Sequence, residues 1–255
     1  MKAVVEARRL HKGFWIPSVR RSTVREHVLG FLRRRSFERL VVLDDVSLEV
    51  EAGQTLGIMG RNGSGKSTLL KILSGIYQAD SGEVEIRGPI TPILELGVGW
   101  NPELDAIDNT LLIGTAMGLS LREARGCIDG VLAFAGLERF ANLQLKHYSS
   151  GMAARLAYSV AFAAARGVLI LDEVFAVGDA AFKARCEDRY RELHRQGYTV
   201  ILVSHLPSTV ADFCTRAILL EGGRVAFEGR GDEVGRAYMS MLAEAPAQLP
   251  AAAGA

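Results

Sequence analysis

The sequence predicts an α/β fold: a mostly parallel sheet with helices around it. Three observations lead there. Residues 168–171 and Thr199–Val203 are uninterrupted apolar runs, the pattern of strands buried on both faces of a parallel sheet. Residues 54–59 form a further buried strand that runs straight into a glycine-rich loop and a helix. Strand-like and helix-like segments then alternate along the chain, as βαβ units require. With 255 residues, 49% of them hydrophobic and 23% charged, the chain can bury a full core. Disordered, collagen-like and disulfide-scaffold classes are excluded.

The elements follow in order. Residues 1–39 carry eleven Lys/Arg against three acids, a net +8, while the whole chain sums to +1 and the remainder to −7. Within that segment Val24, Val28, Leu29, Phe31 and Leu32 fall at near-helical spacing. Residues 23–37 therefore read as a short basic amphipathic helix between two strands. A basic face beside an apolar stripe, with Arg33-Arg34-Arg35 as its densest part, suits a headgroup boundary or an acidic groove on a membrane partner. Leu40-Val41-Val42-Leu43 and Val46-Ser47-Leu48-Glu49-Val50 read as strands, the second closed by the turn Glu51-Ala52-Gly53.

Residues 66–76 read as a helix and 83–86 as a short strand. From 88 to 136 the pattern turns helical, interrupted by Pro89, Pro92, Gly97, Gly99 and Pro102, and 153–165 form a longer helix. Residues 217–221 and 224–228 make a hairpin turning at Gly222-Gly223, and the Ala/Pro-rich tail from 243 frays. No apolar run reaches the roughly 18 residues of a membrane-spanning helix. The best candidate, 156–165, is bracketed by Arg155 and Arg166, and the start of the chain lacks the features of a signal peptide. Cys127, Cys186 and Cys214 lie far apart without metal-ligand spacing and read as packing residues in a reducing compartment.

Gly60-Arg61-Asn62-Gly63-Ser64-Gly65-Lys66-Ser67-Thr68 matches G-x-x-x-x-G-K-[ST] between a strand and a helix, the context a phosphate-binding P-loop requires. The glycines let backbone N–H groups wrap a phosphate, and the helix start adds the positive end of its dipole. Lys66 is then placed on the β- and γ-phosphates and the Ser67 hydroxyl on Mg²⁺. Asp172-Glu173 ends the strand at 168–171, at the carboxyl edge where ligands of α/β sheets bind. Asp-Glu after a strand alone describes a solvated loop. With a P-loop upstream, Asp172 becomes a second Mg²⁺ ligand and Glu173 the general base for an attacking water.

Between these motifs lies Tyr148-Ser149-Ser150-Gly151-Met152, leading into a helix. It resembles the signature loop of ATP-binding-cassette (ABC) ATPases, usually Leu-Ser-Gly-Gly-Gln. Ser149 and Gly151 match, whereas Tyr148, Ser150 and Met152 depart. That variant, together with Leu94-Glu95-Leu96-Gly97 and Pro102-Glu103-Leu104, is similar to the ATPase subunits of bacterial polysaccharide and teichoic acid exporters. A plain helix N-cap also explains Ser149.

The resemblance, which covers essentially residues 1–240, implies an ABC ATPase domain over 1–242. Its core lobe would be 1–88 and 166–242, its helical lobe 89–165, and 243–255 a flexible tail. It implies ATP and Mg²⁺ as cofactors and a head-to-tail homodimer in which Ser149, Ser150 and Gly151 complete the partner's ATP site. It places Asp179 in the D-loop, His205 against the γ-phosphate, and Phe14 against adenine, with Phe37 as the alternative. The glutamine of the Q-loop has no match, and Glu95 or Leu96 occupies the region. The implied function is ATP hydrolysis driving export of a lipid-linked polysaccharide, O antigen first and capsule or teichoic acid next. The export path is a separate integral-membrane permease, which also handles most of the glycan, at the cytoplasmic face of the bacterial inner membrane, with no nucleic acid involved. The rival class is a non-transport ABC ATPase acting on nucleic acid or the ribosome, favoured only by the basic segment 17–39.

Overall fold

A computed structural model describes residues 3–17, 37–94, 99–172 and 179–244. The apolar strands lie where their composition puts them, in a six-stranded sheet. Its order is β5 (Ile90–Ile93), β6 (Val168–Asp172), β7 (Thr199–Val203), β3 (Thr55–Met59), β8 (Arg216–Glu221) and β9 (Arg224–Gly229). Every neighbouring pair is parallel except the β8–β9 hairpin. A second, antiparallel sheet has the order β2 (Phe37–Glu51), β1 (Ala3–Pro17), β4 (Ser81–Ile86). β1 and β2 form a long ribbon whose outer end, from Gly13/Val41 to Pro17/Phe37, runs beyond the reach of β4.

The helices are α1 (Lys66–Leu73), α2 (Ala106–Ala116), α3 (Leu121–Ala135), α4 (Ser150–Ala163), α5 (Ala180–Arg195), α6 (Pro207–Phe213) and α7 (Gly231–Glu244). Two cores share the parallel sheet because successive strand residues point to opposite faces. Leu169, Leu171, Val200 and Leu202 pack with Phe182, Tyr190 and Leu193 of α5 on one face. Ile170, Ile201, Val203, Leu56 and Ile58 pack with Leu69 and Leu73 of α1 and with β1–β2 on the other. A separate core of Ala106, Val131, Leu132, Leu137, Leu156 and Val160 joins α2, α3 and α4. That cluster lies within residues 89–165, the span expected for the helical lobe. Burial raises the Cys186 and Cys214 thiols to about 12, which keeps both protonated and fits packing roles.

Three expectations change. Residues from 89 were assigned to the helical lobe, yet Ile90–Ile93 is a strand of the parallel sheet, in register with β6. Pro92 obscures the strand pattern, but it is tolerated because β5 is an edge. The helix after the P-loop stops at Leu73 rather than 76, followed by Gly75 at φ +73°. The helix expected from 153 starts one turn earlier, where the Ser149 hydroxyl caps it by accepting from Met152 N–H at 3.2 Å. The basic amphipathic segment, apart from Phe37, and the tail from 245 lie outside the described residues.

Candidate functional site

The carboxyl edge of the parallel sheet collects the residues singled out above. β6, β7 and β3 end level with one another, Asp172 beside Val203 and Val203 beside Ile58. Met59, Asp172 and Ser204 thus lie at the same edge of three adjacent strands, and the P-loop leaves β3 there.

Lys66 opens α1 and folds back across the loop. Its Nζ donates to the carbonyl oxygens of Gly60 at 2.7 Å and Arg61 at 2.9 Å. The N-cap of α1 is Gly65, which has no side chain to accept from the first-turn N–H groups. Those donors and the positive end of the helix dipole are available to an anion. The buried Ser64 hydroxyl makes no hydrogen bond among the described residues.

Asn62, Gly63, Gly65, Lys66, Ser67 and Thr68 line a cavity of about 570 Å³ that Asp172, Leu94, Leu40 and Val42 complete. An ammonium, a hydroxyl and a carboxylate therefore meet around one space. Ser67 and Asp172 supply hard oxygen donors, and Mg²⁺ typically takes one or two carboxylates and fills its shell with phosphate and water. The donor set fits Mg²⁺ carried by a phosphate chain.

Gly65 has φ +105°, and a Cβ there would come 2.7 Å from the Val42 carbonyl oxygen. Gly63 has φ +81°, but a Cβ there would meet nothing within 4 Å. Gly65→Ala should therefore displace the loop and lose both stability and ATP affinity, whereas Gly63→Ala carries only a backbone strain of about 1–3 kcal/mol. Urea unfolding and ATP titration of the two variants check the order. Equal effects would mean that Val42 does not press on the loop.

The remaining residues divide. Glu173, Ala176-Val177-Gly178, Glu95 and Leu96 lie outside the described residues, although their neighbours Asp172 and Leu94 both line the cavity. His205 is exposed, two residues beyond the end of β7 at the same sheet edge, and is not a lining residue. Asp179 caps α5, its Oδ1 accepting from Phe182 N–H at 2.8 Å, and its Oδ2 lies 3.9 Å from Arg155 of α4.

Ser149, Ser150 and Gly151 are exposed at the start of α4 and do not line the cavity of their own chain. A Cβ on Gly151 would meet only the Ser149 hydroxyl, at 4.0 Å. Nothing described in this chain demands a glycine there, so the space is open to something approaching from outside. Tyr148, a departure from the usual signature, packs on the helical core and donates from its hydroxyl to the Phe140 carbonyl at 2.7 Å.

Phe14, expected against adenine, is also not a lining residue. Val42 and Leu43 of β2 lie against Gly65, and Phe14 of β1 pairs opposite Leu40 of the same strand. The Phe14 ring meets Tyr77 edge-on at 5.8 Å, and Phe37 is exposed at the far end of the ribbon. The apolar wall facing the P-loop consists of Leu40, Val42 and Leu94. Leu40 and Val42 escape sequence reading because apolar strand residues look like core, and Leu94 enters it only as part of the exporter-like motif.

A family model described as ABC transporter matches residues 43–176. The ABC transporter protein AbcA of Aeromonas salmonicida is 42% identical over 200 residues, covering 78% of this chain and 65% of that protein. The O-antigen export system ATP-binding protein RfbB of Klebsiella pneumoniae is 36% identical over 220 residues, covering 84% of this chain and 89% of that protein. The chain spans less than two thirds of AbcA and 54% of the protein of the same RfbB name from Myxococcus xanthus. Among solved structures, the dimeric ATP-binding cassette MJ0796 in a post-hydrolysis state with ADP and Pi superposes with a TM-score of 0.71. It is 25% identical and covers 89% of this chain and 98% of that one.

Proposed function

The chain belongs to the ABC transporter family, and from that premise we propose that it is the ATP-hydrolysing subunit of a polysaccharide exporter, with lipid-linked O antigen as the first candidate cargo. The observation that carries this reading is the convergence of Lys66, Ser67 and Asp172 on one cavity under an uncapped helix start.

Phosphoryl transfer to water is mainly positioning and charge stabilisation. The N–H groups of the P-loop and the Lys66 ammonium hold the β- and γ-phosphates. Ser67 and Asp172 hold Mg²⁺, which when bound neutralises charge on those phosphates. Glu173 follows Asp172 and accepts a proton from the attacking water, and His205 reaches the γ-phosphate from the end of β7. The exposed start of α4 supplies Ser149, Ser150 and the open Gly151 to the nucleotide of a second copy, so each site is completed in trans. Asp179, 3.9 Å from Arg155, lies beside the helix that carries the signature residues.

No helix among the described residues is long and apolar enough to cross a membrane. By likeness to the export-system ATP-binding relatives, the path for the glycan is a separate integral-membrane permease, with this chain docked on its cytoplasmic side. O antigen rests on the export relatives.

Mixing a Lys66→Ala chain with a Gly151→Asp chain tests completion in trans. Both lesions fall in one site of the mixed dimer and leave the other whole, whereas each parent homodimer is defective at both. The mixture should recover ATP-dependent dimerisation and hydrolysis that neither parent shows. An inactive mixture with proven subunit exchange would refute the head-to-tail arrangement.

A further inference from the structure

One carboxylate outside the phosphate cradle is engaged from three directions. Asp80 lies between α1 and β4. Its Oδ1 accepts from Lys12 Nζ at 2.9 Å, and its Oδ2 accepts from Gly13 N–H at 2.9 Å and Arg39 Nη2 at 2.8 Å. Its own N–H donates to the His11 carbonyl at 2.8 Å. Lys12 and Gly13 belong to β1 and Arg39 to β2, so a single side chain ties both strands of the ribbon to the segment leaving the P-loop helix. The three donors hold the Asp80 carboxyl down at about 2, and it stays ionised wherever an ATPase is assayed.

An isolated surface ion pair contributes little. Asp80 differs because its bonds converge and one comes from a backbone N–H. The clamp also sits where position matters. Leu40 follows Arg39 directly, is 50% exposed, and lines the cavity above Gly63 and Gly65. Phe14, directly opposite Leu40, is held between Tyr77 and Lys12, whose Nζ lies 5.5 Å from the ring centroid. Tyr77 in turn sits under Lys71 of α1, 5.4 Å away. The ribbon is thus fastened to the P-loop helix by charge at Asp80 and by ring contacts at Tyr77. Leu40 contributes an apolar face to the cavity.

We propose that Asp80 is a positioning residue for the nucleotide, locking the β1–β2 ribbon so that Leu40 forms the apolar wall for the base. This rests on the reading of the cavity as an ATP site. A wall lesion should be felt by the base and not by the phosphates, which separates it from any defect of the cradle.

The test measures ATP and inorganic tripolyphosphate binding to the full chain carrying Asp80→Ala, Asp80→Glu, Leu40→Ser or Lys66→Ala, with steady-state hydrolysis alongside. Asp80→Ala and Leu40→Ser should each raise the Kd and KM for ATP by about five- to twentyfold. Tripolyphosphate binding and kcat at saturating ATP should stay within about twofold. Asp80→Glu should regain most of the ATP affinity. Unchanged ATP affinity in Asp80→Ala, or equal loss of both ligands, would overturn the proposal. Lys66→Ala must weaken both ligands; if it weakens neither, the cavity is not the nucleotide site and the reading beneath this one falls with it.

Discussion

Lys66→Ala should weaken ATP binding by about one to two decades, since a charge-assisted hydrogen bond to phosphate contributes about 1.5–3 kcal/mol. Two losses add in the same direction. The ammonium leaves the phosphate site, and the loop loses the Nζ bonds at 2.7 and 2.9 Å that join Gly60 and Arg61 across its mouth. Lys66→Arg separates them. It keeps the charge, but a bulky planar guanidinium cannot make the same compact contacts as an ammonium, so it should recover only part of the affinity. Calorimetric titration with ATP, and the shift of melting temperature that ATP induces, read both variants. ATP affinity unchanged in Lys66→Ala would remove the P-loop from nucleotide binding altogether.

The phosphate side of this site was legible in the sequence because its signals are local. A strand, a glycine-rich turn and a helix start follow one another within residues 55–73, and Asp172 ends a strand with no polar interruption. The cap at Ser149 was legible for the same reason, since its partner Met152 is three residues away. The base side was not. Asp80 finds Lys12 and Arg39 across separations of 68 and 41 residues, and no local pattern announces such a meeting. Leu40 and Val42 belong to the continuous apolar run 40–43, which reads as an ordinary strand, and only the fold shows that they face a cavity. Phe14 drew attention because aromatic rings stack on bases; the fold pairs it directly opposite Leu40, which lines the cavity, while its own ring meets Tyr77. β5 escaped notice because four residues containing a proline are too short a run to establish a period.

Glu173→Gln should abolish turnover while ATP binding stays within about threefold of the wild type, because removing a general base typically costs 10²- to 10⁴-fold in rate. Gln has the size of Glu but cannot take a proton from water. The phosphate contacts belong to other residues: Lys66, Ser67 and Asp172 line the cavity and are untouched by the change. With hydrolysis stopped and binding intact, ATP should accumulate on the protein and hold two copies together. Size-exclusion chromatography in ATP should then show a dimer that the wild type forms only transiently. Asp172→Asn is the informative contrast. It withdraws a carboxylate from the cavity, so its defect should appear in Mg²⁺-dependent ATP binding as well as in rate. If Glu173→Gln hydrolyses ATP near the wild-type rate, the proton acceptor is another group, and His205, exposed at the same sheet edge, becomes the first to substitute.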